Sequence, residues 1–123
     1  PQGVFAAVGL HPIHVTGSLM KNKLDPEELA AQETIGEFNI DDCRQLVLSS
    51  KRVVAIGEIG LDYYYKPKTK GRLEQFKSLQ RQALIQQIDL AKELNLPISF
   101  HCRSAHSDLI QILKDKKAKG VIH

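Results

Sequence analysis

Apolar segments of strand length alternate with amphipathic segments of helical spacing along this chain, and the alternation strongly limits its possible folds. The strand candidates are 4–10, 53–57, 97–102 and 120–123. No turn signal of the kind that closes a β-hairpin stands between any two of them. Strands separated by helices are joined by right-handed crossovers and pair in parallel. The sequence therefore predicts an α/β fold in which helices cover a parallel sheet.

Four helix candidates connect or precede these strands. Asp25 with Pro26 has the form of a helix start, and Asn39 begins a second helix. The third and longest helix shows one largely apolar stripe over about six turns, formed by Leu73, Phe76, Gln80, Ala83, Leu84, Ile88, Ala91 and Leu94. Ser104 is in the position to cap a fourth helix, whose apolar residues are Leu109, Ile110, Ile112 and Leu113.

Size and composition indicate one modest core. The chain has 123 residues, 42% of them hydrophobic, and a formal net charge of +3. This charge is compatible with a polyanionic substrate without requiring one. No apolar run approaches the length of a membrane span, and we find no signal peptide. The two cysteines, Cys43 and Cys102, show no CxxC spacing, so we expect core positions for both and a cytoplasmic protein.

The segment 53–64 joins an apolar strand to an acidic, glycine-flanked stretch, Glu58-Ile59-Gly60-Leu61-Asp62. If side chains alternate along the strand, Glu58 shares a face with Val54 and Ile56. A carboxylate there loses hydration and stays ionised only beside a cation, a donor cluster or a metal. The alternative is a glutamate at a strand end that reaches water, and the local pattern leaves both interpretations open.

Polar side chains stand at or just past the carboxyl ends of all four predicted strands: His11, Glu58, His101 and His123. In a parallel α/β fold these strand ends form the ligand-binding face. Imidazole and carboxylate groups that converge there would make a site for a divalent metal. The alternative is that each histidine is a hydrogen-bonded structural residue. His14 and His106 are equally well explained as solvated side chains.

Four segments together carry a family resemblance: 8–12 (VGLHP), 55–64 (AIGEIGLDYY), 96–106 (LPISFHCRSAH) and 120–123 (GVIH). Gln75, Phe76 and Gln82 in the long helix add to it. With these motifs the chain resembles the TatD family of metal-dependent hydrolases, which are TIM barrels related to the amidohydrolases. The match extends over almost the whole length.

The resemblance implies a site for one or two divalent metal ions, Mg²⁺, Mn²⁺ or Zn²⁺. Its ligands in this chain would be Glu58, His101 and His123. The resemblance also implies substrate contacts, at His11, Arg103 and His106. A guanidinium is well shaped to meet phosphate oxygens.

The implied activity is hydrolysis of phosphodiester bonds in DNA by a metal-activated water, with nucleotides released from 3′ ends. One alternative is hydrolysis of the ester of a D-aminoacyl-tRNA, and another is an inactive truncated fragment. The family's His-x-His pair on the opening strand and its general-base aspartate on a late strand are not found in 1–123. We therefore expect 1–123 to be the central portion of a single (β/α)₈ barrel domain, without its N-terminal strand and C-terminal half and inactive by itself.

A basic loop follows the acidic stretch and contains Lys66, Lys68, Lys70 and Arg72. It could follow a phosphate backbone, and one of the neighbouring tyrosines Tyr63, Tyr64 and Tyr65 could stack on a base. Solvated lysines and a packed tyrosine explain the same residues. The sequence leaves both interpretations open.

Overall fold

The computed structural model describes residues 3–17 and 39–122, which form four strands and four helices. In chain order these are β1 (Ala6–Val8), α1 (Pro12–Val15), α2 (Ile40–Leu48), β2 (Val53–Asp62), α3 (Lys70–Glu93), β3 (Ile98–Arg103), α4 (His106–Lys116) and β4 (Gly120–Ile122). The predicted helix start at Asp25 and the predicted ligand His123 lie outside the described residues.

The four strands form one parallel sheet in the order β1-β2-β3-β4. Each strand therefore pairs with the next strand in the sequence, and α2, α3 and α4 lie in the three connections. This arrangement confirms the predicted α/β class with parallel strands. Because all four strands run the same way, their carboxyl ends meet at one edge of the sheet.

One face of the sheet packs against the helices and forms the core. Ile56, Ile59, Leu61, Ile98 and Phe100 are almost completely buried there. Burying each such side chain contributes about 1.5–3 kcal/mol to folding. The predicted core positions of the two cysteines are confirmed, since both free thiols pack, partly buried, against this cluster.

Helix α3 crosses the covered face of β2 and presents the predicted apolar stripe to the core. The buried residues of the helix are Phe76, Gln80, Ala83, Leu84, Gln87, Ile88, Leu90 and Ala91. Two glutamines, Gln80 and Gln87, are each only 1% exposed within this stripe. Buried amides require hydrogen-bond partners, and both find them at strand ends.

The predicted helix caps have different outcomes. Asn39 caps α2 as predicted, because its side-chain oxygen accepts hydrogen bonds from the peptide N–H groups of Asp41 and Asp42 at 2.8 and 3.3 Å. The predicted cap at Ser104 is wrong. The chain turns through a left-handed conformation at Ser104 (φ 57°), so α4 starts after Ala105 and without a side-chain cap.

Strand β2 extends further than predicted and contains a register shift. It continues through the acidic stretch to Asp62, where the sequence indicated a turn after Gly57. Ile56 pairs with Ile98 and Ile59 with Phe100, so three residue steps on β2 match two on β3. Such an extra residue is a β-bulge, and it reverses which side chains face which side of the sheet.

Because of this bulge, Glu58 lies on a different face of the sheet from the one that alternation predicts. Ile56 lies on the helix-covered face, while Glu58 contacts His101 on the opposite face. The prediction that Glu58 and Ile56 share a face is therefore wrong, because simple alternation does not hold across the bulge. Glu58 is a partly exposed site residue with 29% of its side-chain surface accessible.

Strand β1 is shorter than the predicted segment and ends before His11. His11 caps the single-turn helix α1, which begins at Pro12. Within residues 3–17 and 39–122, no helix has both the length and the apolar character needed to cross a membrane.

Candidate metal centre

Three side chains come together on one face of the sheet: His11 just after β1, Glu58 within β2, where the sequence predicted the strand end, and His101 within β3. One nitrogen or oxygen atom of each residue lies within 4.8 Å of those of the other two. The Glu58 Oε1 atom is 3.2 Å from His101 Nδ1 and 3.6 Å from His11 Nε2. Three of the four side chains expected at this edge of the sheet therefore meet, and the fourth, His123, lies outside the described residues.

His101 lies between two carboxylates, with one at each ring nitrogen. Its Nε2 atom is 2.8 Å from Asp62 Oδ2, and its Nδ1 atom faces Glu58. A neutral imidazole carries one N–H, so a proton on Nε2 leaves a lone pair on Nδ1. Two acceptors at 3.2 Å then need either a cation or a proton between them. Glu58 and His101 thus have the chemistry of a divalent metal site with an orienting carboxylate behind the histidine.

An imidazolium at His101 is the other state compatible with these distances. It would donate one hydrogen bond to Glu58 and one to Asp62 and would need no metal. The two states differ in the proton on Nδ1, which is a measurable quantity.

His11 is arranged differently from His101. Its Nδ1 atom accepts a hydrogen bond from the peptide N–H of Ile13 at 3.2 Å. Burial, followed by the nearby ring of His101, lowers the pKa of His11 to about 4, so the ring is neutral at pH 7. Its single proton is therefore on Nε2, the atom directed at Glu58. This geometry fits a hydrogen-bond donor better than a metal ligand, and the substrate contact at His11 stays a prediction.

Asp62 completes the group and has no role in the sequence prediction. Its side chain is 3% exposed. One oxygen, Oδ2, accepts hydrogen bonds from His101 Nε2 and from Arg103 Nε at 2.8 and 2.9 Å, while Oδ1 accepts from the peptide N–H of Tyr64 at 3.1 Å. The sequence could have indicated Asp62. On a strand that continues past Gly57, alternation places the side chains of Glu58 and Asp62 on the same face.

Arg103 lies at the solvent-exposed side of the cluster formed by His11, Glu58, His101 and Asp62. Its side chain is 41% exposed, and its guanidinium lies 4.8 Å from the ring centroid of Tyr64 and 5.8 Å from that of Tyr65. Asp62 uses the Nε–H of Arg103, which leaves the Nη groups for other acceptors. His106 is exposed at the start of α4 and, among the described residues, makes no hydrogen bond or ion pair with the group.

The three tyrosines after β2 occupy different environments. Tyr63 is buried, and its hydroxyl donates a hydrogen bond to Asp108 Oδ2 at 2.9 Å. Burial and this hydrogen bond raise the pKa of Tyr63. Tyr64 and Tyr65 are 58% and 40% exposed. Base stacking is therefore open to Tyr64 and Tyr65 but not to Tyr63, which is the packed tyrosine of the alternative interpretation.

The family model described as TatD related DNase matches residues 1–123. This chain belongs to the TatD family. Among curated relatives, the "uncharacterized metal-dependent hydrolase YcfH" of Escherichia coli K12 is 34% identical over 98% of this chain and 36% of its own length. The human "deoxyribonuclease TATDN3" is 38% identical over 97% of this chain and 39% of its own length.

Two solved structures of TatD proteins superpose on this TatD chain. YJJV, a TatD homolog from E. coli K12, gives a TM-score of 0.60 at 30% identity over 94% of this chain and 36% of its own. A TatD family hydrolase from Entamoeba histolytica gives a TM-score of 0.57 at 31% identity, over 97% and 34% respectively. The predicted family and the predicted partial (β/α)₈ barrel are confirmed. The chain spans 34–39% of the length of the curated relatives and solved structures named above.

Proposed function

We propose that the protein containing this TatD chain is a divalent-metal-dependent hydrolase that cleaves phosphodiester bonds of DNA and releases nucleotides from 3′ ends. The observation that carries the proposal is the position of His101, with Glu58 at one ring nitrogen and Asp62 at the other. The description of the family as TatD related DNase and the name of the human relative, a deoxyribonuclease, support DNA as the substrate. The direction of digestion rests on the resemblance alone.

The residues divide into metal-holding and substrate-holding groups. Glu58 and His101 would hold the metal together with His123, as the family resemblance implies. A bound divalent ion would lower the pKa of a water molecule and polarise the phosphoryl oxygen. The general-base aspartate that the resemblance implies is not among residues 1–123, so we propose that these residues form the central portion of one barrel domain and are inactive alone.

The substrate-holding residues are His11 and Arg103. His11 donates through Nε2–H toward the space beside Glu58, where a phosphate oxygen could replace the carboxylate as acceptor. The Nη groups of Arg103 can bind a second oxygen, because the hydrogen bond from Nε to Asp62 fixes the plane of the guanidinium. Tyr64 and Tyr65 lie beside this guanidinium with exposed rings on which a base could stack.

The test uses the full-length protein, stripped of metal and then supplied with Mg²⁺, Mn²⁺ or Zn²⁺. We expect metal-dependent release of nucleotides from 3′-labelled single-stranded DNA. Glu58→Ala should reduce turnover by at least about 10²-fold, since it removes a ligand while leaving the core intact. Glu74→Ala, at an exposed residue of α3, is the matched control and should retain wild-type activity.

Four outcomes separate the alternatives. Release from 5′-labelled ends alone would reverse the proposed direction. Hydrolysis of a D-aminoacyl-tRNA without action on DNA would replace the phosphodiester with an ester. Equal turnover in Glu58→Ala and wild type would remove Glu58 from the site. No turnover of either substrate with any of the three metals would favour an inactive protein.

A further inference from the structure

Asp62 is the one acidic side chain that is fully buried among the described residues. We propose that it is a positioning residue, which holds His101 in the tautomer and the orientation that direct Nδ1 toward Glu58. This inference rests on the metal site of the proposed function, but it concerns a residue that would touch neither the metal nor the substrate.

Three donors surround the Asp62 carboxylate and occupy both of its oxygens. Oδ2 accepts hydrogen bonds from the His101 ring and from Arg103, and Oδ1 accepts from the Tyr64 peptide. A carboxylate removed from water needs such donors to remain ionised. An ionised carboxylate can only accept hydrogen bonds, so it requires an N–H at His101 Nε2.

The main chain of Asp62 is fixed as well. Gln80 accepts a hydrogen bond from the Asp62 N–H through Oε1 at 2.8 Å and donates to the Asp62 carbonyl through Nε2 at 3.0 Å. Gln80 is 1% exposed, and its Nε2 also donates to Thr16 Oγ1 at 3.0 Å. The backbone of Asp62 is therefore anchored from helix α3 as well as by its own strand, and this fixes the point from which the carboxylate reaches His101.

A proton fixed on Nε2 of His101 determines whether the other ring nitrogen, Nδ1, can bind a metal. With Nε2 protonated, Nδ1 presents a lone pair to the space beside Glu58, as a metal ligand must. In Asp62→Asn no orientation of the amide can accept from all three donors, because its nitrogen faces either His101 and Arg103 or the Tyr64 peptide N–H. In the first orientation His101 would have to accept at Nε2 and carry its proton on Nδ1, which blocks the ligand position. In the second, the hydrogen bond that fixes the proton on Nε2 loses its charged acceptor, and the Tyr64 N–H loses its partner.

The first measurement is the affinity of the full-length protein for Mn²⁺ or Zn²⁺, by competition with a chelating indicator. We expect Asp62→Asn to bind the metal about 10–100-fold more weakly than wild type. Asp108→Asn is the matched control, since it changes another paired carboxylate, the acceptor of the Tyr63 hydroxyl, away from this site. Its metal affinity should equal that of wild type.

The second measurement is the protonation of His101 in the metal-free wild type, by nitrogen-15 NMR of histidine-labelled protein at mildly alkaline pH. We expect the Nε2 nitrogen of His101 to carry a proton, and this result needs no variant to fold. A ring whose only proton is on Nδ1 would overturn the proposal. So would a metal affinity of folded Asp62→Asn equal to that of wild type, even if its thermal midpoint fell.

Failure of this inference can be told apart from failure of the proposed function. Both measurements report on metal binding and on a proton, and neither requires DNA. A protein that binds the metal through an Nε2-protonated His101, loses it in Asp62→Asn and cleaves no DNA would keep the role of Asp62 and refute the nuclease. A metal-dependent nuclease whose His101 is protonated on Nδ1 would support the proposed function and refute the role of Asp62.

Discussion

Replacing Gln80 by methionine should destabilise the protein strongly although the new side chain is apolar and similar in shape. Gln80 is buried in the stripe of α3 and binds both peptide groups of Asp62. Methionine can fill the space but can bind neither group. Each buried peptide group left without a partner costs about 1–3 kcal/mol, so the two together predict a loss of about 2–6 kcal/mol. Thr16 keeps a second partner, the carbonyl of Pro12, and adds little to the loss.

Equilibrium urea unfolding of the metal-free, full-length protein measures this loss as a shift of the midpoint at constant slope. Gln82→Met is the matched control, because Gln82 lies on the same helix, is exposed and bonds only Ser78 within the described residues. We expect it to change stability by less than about 0.5 kcal/mol. If Gln80→Met lost no more than Gln82→Met, the peptide groups of Asp62 would have found other partners, and the argument from unsatisfied groups would be wrong.

Two further predictions concern charge. Because burial and the Asp108 hydrogen bond raise the pKa of Tyr63, the stability from this tyrosine is complete below about pH 10 and is lost as the pH rises through the folded-state pKa. Tyr63→Phe should cost about 0.5–1.5 kcal/mol at pH 7 and flatten the alkaline limb in urea unfolding, and an unchanged limb would contradict this assignment. The basic segment 66–72 is a loop only as far as Thr69, since Lys70 and Arg72 lie in the first turn of α3. If this segment follows a DNA backbone, serine at its four basic positions should lower the slope of log affinity against log salt for single-stranded DNA by up to about 3, measured in the Glu58→Ala protein. An equal slope would mean that these four basic residues are solvated and do not contact DNA. The matched control replaces four exposed lysines near the amino ends of β3 and β4: Lys92, Lys114, Lys117 and Lys119.

The fold class could be predicted from the sequence because it depends on repeated signals. Alternating strand and helix segments specify parallel pairing, and the stripe of α3 specifies the face that packs on the sheet. Single-residue features were less predictable. Ser104 is a good capping residue in isolation, but the chain enters α4 through a left-handed turn at that position. The capping preference of serine therefore did not decide the start of α4, because the connection between β3 and α4 requires a left-handed residue at Ser104.

Only some features of the candidate site could be predicted, because some depend on the strand order and others on a single inserted residue. That His11, Glu58 and His101 come from neighbouring strands of one sheet follows from parallel pairing in sequence order. The face on which Glu58 lies does not, because a bulge between Ile56 and Ile59 shifts the register by one residue. A period-two pattern cannot reveal such a shift, since an inserted residue leaves each half of the strand alternating normally. Asp62 lies beyond the strand end that the sequence predicts, so the predicted site does not include it.

The two buried glutamines of α3 connect this fold to its site. Gln80 and Gln87 are seven residues apart, about two helical turns, so they lie on the same face of the helix. Gln87 accepts from the N–H of Leu10 at 2.6 Å and donates to its carbonyl at 3.4 Å, as Gln80 does for Asp62. One helix therefore holds the chain just before His11 and the carboxylate behind His101. Apolar residues at these two positions would also be buried, but the peptide groups at the ends of β1 and β2 would then lack these partners. The polar interruptions of the stripe are thus explained by the site that they position rather than by the core in which they lie.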